Sequence, residues 1–299
     1  MNRSTQGFSF GTALLLLVIV GCQQLQKNTT SPTPAPTPPQ RTSENPVGDQ
    51  RPKNRISGDS NEGNLLLGNA TNAAQSPDNF LLERPQFSMS YNRSRGGPNW
   101  VAWHVDAGDL GDEERGKFRP DPKLPRDWQI GPNDYRGSGY DRGHVCPSGD
   151  RTATREDNDA TFFMSNMLPQ TGELNRNVWA DLENWVRDQV RDGNEIYQIA
   201  GGAGTAGTIA GGQVAVPEVC WKVIVILPEG QRDKSRISAQ TRVVAVGIPN
   251  STDKRLENAN WRQYLVAPSK IEAAARINLF SGLAPGVRNA LKAKLDSGE

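Results

Sequence analysis

The segment Tyr140-Asp141-Arg142-Gly143-His144 gathers a carboxylate, a guanidinium and an imidazole within four residues. His144 can take up a proton near neutral pH, because a free imidazole titrates at about 6.5. Along an extended backbone Asp141 and Arg142 emerge on opposite sides. Gly143 removes a side chain where the chain must bend or an anion must approach. Further on, Asn175 and Glu183 share a stretch of helical periodicity. Eight residues of helix span about 12 Å at ~1.5 Å per residue, too far for one small ion to touch both directly. A proton acceptor, anion-binding arginines and oxygen donors for a hard cation suit hydrolysis of a phosphodiester. That reaction needs an activated water, neutralised charge on the phosphate and help for the leaving oxygen.

The elements that must hold these groups read as mixed α+β. Trp100-Val101-Ala102-Trp103-His104-Val105, the run from Cys220 to Leu227 and the run from Thr241 to Pro249 are β-branched and aromatic, as strands are. Leu174 to Arg191 is the clearest helix, with Leu174, Val178, Trp179, Leu182, Trp185, Val186 and Val190 at three- and four-residue spacing. A second helix is expected from Ser269, with Glu272 completing a capping box. Gly201 to Gly212 is glycine-dense but lacks the Lys-Ser/Thr of a phosphate-binding loop, and reads as a flexible connection.

The block around His144, together with Ser165-Asn166-Met167-Leu168-Pro169-Gln170 and Asn175-Arg176-Asn177-Val178-Trp179 through Glu183, resembles the DNA/RNA non-specific endonucleases, the ββα-metal family with the Asp-Arg-Gly-His signature. The resemblance runs from about Ser88 to Leu283 and includes the Pro98–Trp103 strand and the Phe118-Arg119-Pro120-Asp121 turn. It implies a ββα-metal (His-Me finger) fold, a central antiparallel sheet flanked by helices. It also implies sugar-non-specific cleavage of DNA and RNA to 5′-phosphate ends, with His144 as general base. By the same resemblance Asn175 would ligate one Mg²⁺ directly, with Mn²⁺ as a substitute, and Glu183 would hold one of its waters. Magnesium keeps several waters, so a single protein ligand is physically reasonable. Arg187, one turn beyond Glu183, and Asn166 match family active-site positions. Arg115 is the expected phosphate clamp, with Arg119 the alternative because the spacing to Phe118 is one residue short. Some relatives have a dedicated protein inhibitor.

Several of these residues also have plain readings. Asp141 would hydrogen-bond a metal-bound water or brace Arg142, and Arg142 would position substrate or form an internal ion pair. Asn166 is a turn former by composition. His104 lies in an apolar strand pattern and is expected to pack or hydrogen-bond. Cys146 and Cys220 are either a disulfide or two buried thiols. A silent nucleic-acid-binding surface lipoprotein is the alternative function, although such a binder would not need His144, Asn175 and Glu183 together. Two His without paired ligand spacing argue against a zinc hydrolase.

The N-terminus reads as an export signal over residues 1–21: Arg3, an apolar run from Phe8 to Val20, then Ile19-Val20-Gly21-Cys22. The run is short for a membrane span, and the last four residues resemble a lipobox in which Cys22 is lipidated. Lipidation would tether the exported protein to a membrane, facing periplasm or exterior; free secretion is the alternative. Residues 22–79 read as a tether, with Pro32, Pro34, Pro36, Pro38 and Pro39 favouring polyproline II. Leu65-Leu66-Leu67 is the only apolar cluster there, so the catalytic domain is set at residues 80–299 with Leu65 as its earliest start. The formal charge is +1, from 34 basic and 33 acidic residues, which excludes a polybasic binder. Attraction for a polyanion must then be local.

Overall fold

The runs Gly97–Val105, Val219–Pro228 and Arg242–Pro249 form long strands whose residues are apolar in both alternating sets, because both faces of the sheet are covered. The computed structural model describes residues 63–299, so the signal segment, Cys22 and the proline-rich stretch lie outside the described residues. In chain order the strands are β1 (Gln75–Ser76), β2 (Asn79–Glu83), β3 (Ser88–Asn92), β4 (Gly97–Val105), β5 (Asp141–His144), β6 (Met167–Gln170), β7 (Asn194–Ala203), β8 (Gly207–Ile209), β9 (Val214–Val216), β10 (Val219–Pro228) and β11 (Arg242–Pro249). The helices are α1 (Arg155–Thr161), α2 (Trp179–Arg191), α3 (Asp233–Arg236), α4 (Pro268–Ala275) and α5 (Pro285–Ala293). A seven-stranded antiparallel sheet runs β1-β2-β3-β4-β7-β10-β11, and β5 pairs with β6 in a separate ribbon. This is the expected α+β architecture.

Alternation along the central strands sorts the two cores. Trp103 of β4, Ala200 of β7 and Ile224 of β10 face α2, whose Leu182, Val186 and Val190 are buried against that side. Trp100, Tyr197 and Trp221 face the other side, where Ile271 of α4 and Leu291 of α5 cover them. Trp100, Trp103 and Trp221 are almost wholly buried. Each large apolar side chain removed from water contributes about 1.5–3 kcal/mol, so the sheet is a rigid floor for α2. Cys146 and Cys220 are buried and free, with both thiol pKa values pushed up by burial, that of Cys220 to about 12.

Three local expectations are corrected. The second helix begins at Pro268, one residue before Ser269, and no side chain caps it; Glu272 instead accepts from Leu279 N at 3.1 Å. Proline at the first helical position lacks only an N–H that would be unpaired anyway. The glycine-dense stretch is partly strand: Gly201 lies in β7, where a Cβ would come within 2.5 Å of the Asn99 carbonyl, so close strand contact requires it.

The start of the folded region also differs from a boundary at residue 80. Leu66 and Leu67 belong to the second core with Leu279 and Phe280. The backbone ties Gly282 N to Leu67 O at 3.1 Å and Asn278 N to Ala70 O at 2.7 Å. Three leucines occur there because they close the core from outside α4 and α5. Leu66, 1 % exposed, tests this: Leu66→Ala should lower the urea-unfolding free energy by about 2–5 kcal/mol, the cost of a core cavity. A loss within about 0.5 kcal/mol would return the segment to the tether.

Candidate active site

β5 carries the Asp-Arg-Gly-His segment and pairs antiparallel with β6, Asp141 opposite Gln170 and His144 opposite Met167. The chain then turns at Thr171 into a helix that, after Gly172 and Glu173, widens into a π turn over Leu174–Val178 before α2. Such wide turns are rare and recur at functional sites. Here the π turn contains Asn175, whose amide N donates to Thr171 O at 2.9 Å. Asp141 joins strand to helix: Asn175 Nδ2 donates to its Oδ2 at 3.0 Å, and Arg176 donates to both oxygens at 2.8 and 2.5 Å. The Arg176 guanidinium thereby holds the Asp141 carboxyl below its usual range, against the upward pull of burial. Asp141 therefore does not brace Arg142. With its amide nitrogen committed to Asp141, Asn175 keeps an oxygen without a hydrogen-bond partner among the described residues, of the kind a hard cation takes.

His144 is set among aromatic rings, 4.8 Å from Phe162 and 5.5 Å from Phe118 between centroids. Its Nε2 is enclosed, with no hydrogen-bond partner among the described residues. Burial, helped by the nearby Arg115 charge, pushes its pKa down to about 3, so the imidazole is neutral through the physiological range. Arg115 lies exposed over the Phe162 ring, 5.4 Å from its centroid. Arg119 turns elsewhere, over Phe163 at 4.4 Å and towards Asp159 at 3.9 Å. Of the two clamp candidates, Arg115 is the one beside His144.

Arg142 donates through Nε and Nη2 to the Pro132 carbonyl at 3.2 and 2.7 Å and lies over Phe118, so it props the ring that borders His144. Gly143 is required for a reason other than bending or an approaching anion. A Cβ there would fall 2.0 Å from Gln170 Oε1, since the Gln170 side chain lies across it. Two expected site residues are taken up by internal partners. Asn166 is fully buried; its amide accepts from Cys146 N at 3.0 Å and donates to Cys146 O and Thr161 O at 2.8 and 2.9 Å. It pins the loop after His144 and does not reach the cleft. Arg187 gives its charge to buried Asp150 at 3.0 Å and bonds Asn184 at 2.6 Å.

Glu183 has its Oε1 buried without a hydrogen-bond partner among the described residues, 3.6 Å from Lys222 Nζ. Burial raises its pKa, while Lys222 and Arg187 oppose that. The sequence assigns no role to Arg176 and Gln170, which stand within the motif blocks, nor to Lys222 and Asp150. A lysine within the apolar run Cys220–Leu227 is the signal that could have found Lys222.

Two further groups of side chains have ligand atoms within 4.8 Å of one another: His104 with Asp106 and Asp109, and His104 with Glu195 and Asp233. His104 is packed against Tyr197, so both lie on the sheet face away from α2. His104 Nε2 is 3.1 Å from Glu195 Oε2, and Arg236 bonds both Glu195 and Asp233, so these acids already have a cation.

Strand, strand and helix around one histidine and one asparagine define a ββα nuclease. The DNA/RNA non-specific endonuclease family matches residues 68–286. A nuclease of Nostoc sp. (strain PCC 7120) is 41% identical over 96% of this chain and 97% of its own. Nuclease C1 of Cunninghamella echinulata is 37% identical over 50% of this chain and 66% of its own length. In fold, the chain resembles the crystal structure of an EndoG/EndoGI inhibited complex, with a TM-score of 0.61 at 24% identity over 74% of this chain and 91% of that one. The chain belongs to the DNA/RNA non-specific endonuclease family, and it is a metal-dependent endonuclease.

The depressed His144 pKa has a consequence for stability. Between pH ~6.5, where a free imidazole titrates, and about 3, the unfolded chain binds a proton that the folded one refuses. Stability is therefore greatest above 6.5 and falls with acid. In metal-free buffer the loss between pH 7 and 5 should be about 2 kcal/mol larger for the wild type than for His144→Phe, read from urea unfolding. Equal losses would mean that the imidazole is not held neutral.

Proposed function

We propose that this endonuclease cleaves both DNA and RNA to 5′-phosphate ends, with His144 as general base, Mg²⁺ held directly by Asn175, and Mn²⁺ able to replace it. The observation that carries the reading is the Asp141–Asn175 hydrogen bond, which fixes the helix asparagine against the strand of the histidine. The residues suit the ion: an oriented amide oxygen and a nearby carboxylate are oxygen donors, and Mg²⁺ prefers few protein ligands with waters completing its shell. When bound, the ion would supply Lewis-acid stabilisation of charge on the phosphate and the leaving oxygen.

His144 would accept the proton of the attacking water at Nδ1, since Nε2 is enclosed. A neutral imidazole can accept that proton, and an anionic phosphate held beside it would raise its basicity. Arg115 would hold a phosphate oxygen beside the imidazole, as guanidinium groups do in paired hydrogen bonds. Asp141 would accept from a water of the ion while orienting Asn175, and Glu183 would hold a second water. Arg142, Asn166 and Arg187 would act as positioning residues. Nothing in this scheme touches a 2′-hydroxyl, which accounts for acceptance of both polymers.

The purified protein should degrade plasmid DNA and RNA with Mg²⁺ or Mn²⁺ and stop in EDTA, and its DNA fragments should ligate without prior phosphorylation. His144→Ala should lose about 10²–10⁴-fold in kcat while still binding DNA. Binding without EDTA-sensitive cleavage in the wild type would favour the silent surface lipoprotein instead.

We further propose export and a lipid anchor at Cys22, on the Ile19-Val20-Gly21-Cys22 sequence. Wild-type protein from membranes should enter the detergent phase of Triton X-114, and Cys22→Ser should move it to the aqueous phase. An unchanged partition would remove the anchor and leave free secretion.

A further inference from the structure

Lys222 is 0 % exposed, on the face of β10 that looks at α2. On that face its strand neighbours Cys220 and Ile224 are apolar core. Full burial of a lysine is rare unless it is paired. Its Nζ lies 5.1 Å from the Trp103 ring centroid and 5.0 Å from that of Trp179, between two π faces that favour a cation. Among the described residues it has no hydrogen-bond partner, and the carboxylate oxygen it approaches, Glu183 Oε1 at 3.6 Å, has none either. The other charges around Glu183 are Arg187 and Asp150, and these two are already bonded to each other. An apolar residue would fill this strand position at lower desolvation cost. The ammonium meets the one glutamate of the site.

We propose that Lys222 is a positioning residue for the metal. Held in place by Trp103 and Trp179, its charge draws Glu183 Oε1 inward. The 15 % exposure that the Glu183 side chain retains lies away from Oε1, which would leave the second oxygen for a water of the ion. The inference rests on the metal reading of Asn175 and Glu183 proposed above.

The sign of one measurement separates this role from that of a bystander. A lysine near a cation site but without a task repels the ion, so removing it should tighten binding. A lysine that holds the water's acceptor should, on removal, weaken binding. Mn²⁺ affinity of the purified protein is read by EPR of the free ion, without substrate. Lys222→Met, which fills the same space between the tryptophans, should raise the Mn²⁺ Kd at least tenfold. In a Glu183→Gln background the same change should alter Kd less than twofold, because the acceptor is already gone. Lys222→Gln, neutral and polar, carries the same expectation as Lys222→Met and replaces it if the methionine variant does not fold. An unchanged or lower Kd in a folded Lys222 variant overturns the proposal. A wild-type protein that binds no Mn²⁺ brings down the metal reading itself, and this inference with it.

Discussion

The seating of α2 on the central sheet is the constraint on which the site depends. Leu182, Val186 and Val190 fix the helix by burial against the sheet. Burial alone has no direction, so two polar contacts set the helix's rotation. Arg187 meets Asp150, whose other oxygen accepts from Trp103 of β4 and Gln198 of β7 at 3.0 and 3.1 Å. Glu183 meets Lys222 of β10. Removing one member of a buried charged pair leaves the other uncompensated, at about 3–5 kcal/mol, so each pair resists rotation that apolar packing would tolerate.

The π turn then solves a problem of reach. A regular helix continued from α2 would carry Asn175 at the phase set by packing, not at the one the strand ribbon needs. Widening one turn shifts the first residues relative to the rest, and Asp141 fastens the shifted end through Asn175 and Arg176. The helix is thus tied to two separate bodies, the sheet beneath it and the β5–β6 ribbon beside it. The loop after His144 is pinned in turn by Asn166, and the Phe118–Asp121 turn is joined to the same block where Ser165 donates to Asp121 at 2.5 Å. Motif segments far apart in sequence are bonded to one another, so their order in the chain matters less than their mutual contacts.

Periodicity and β-branched runs made the sheet and α2 legible from the sequence, because both follow from which faces are buried. The Asp-Arg-Gly-His segment and Asn175 were legible because spacing and residue type together suit few chemistries. What stayed hidden depends on partners distant in sequence. Gly143 faces Gln170, Arg187 faces Asp150, and Leu66 meets Phe280, none of which leaves a local pattern. The π turn was hidden for a different reason, since apolar spacing reports the buried stripe and does not register one extra residue outside it. Glu272 shows the opposite error, a capping pattern without the cap, because Pro268 had already set the start of α4.

The near-zero formal charge takes on a different meaning beside the ion pairs. Arginine is 20 of the 28 basic residues between 81 and 299, which suggests abundant phosphate contacts. Many of those guanidinium groups answer internal carboxylates instead: Arg84 with Asp121, Arg151 with Asp109, Arg187 with Asp150, Arg236 with Asp233 and Arg242 with Asp296. A charge neutralised inside the fold releases few counterions from a nucleic acid, and each lost phosphate contact lowers the salt slope by about one. Arg115, exposed beside His144, is differently placed: no carboxylate among the described residues pairs with it, and its charge stands next to the imidazole. A surface without a large basic field holds polymer weakly between events and lets product go. The acids that cancel the net charge are thus largely ones that brace the fold, and the same neutrality suits an enzyme that must cut, release and cut again.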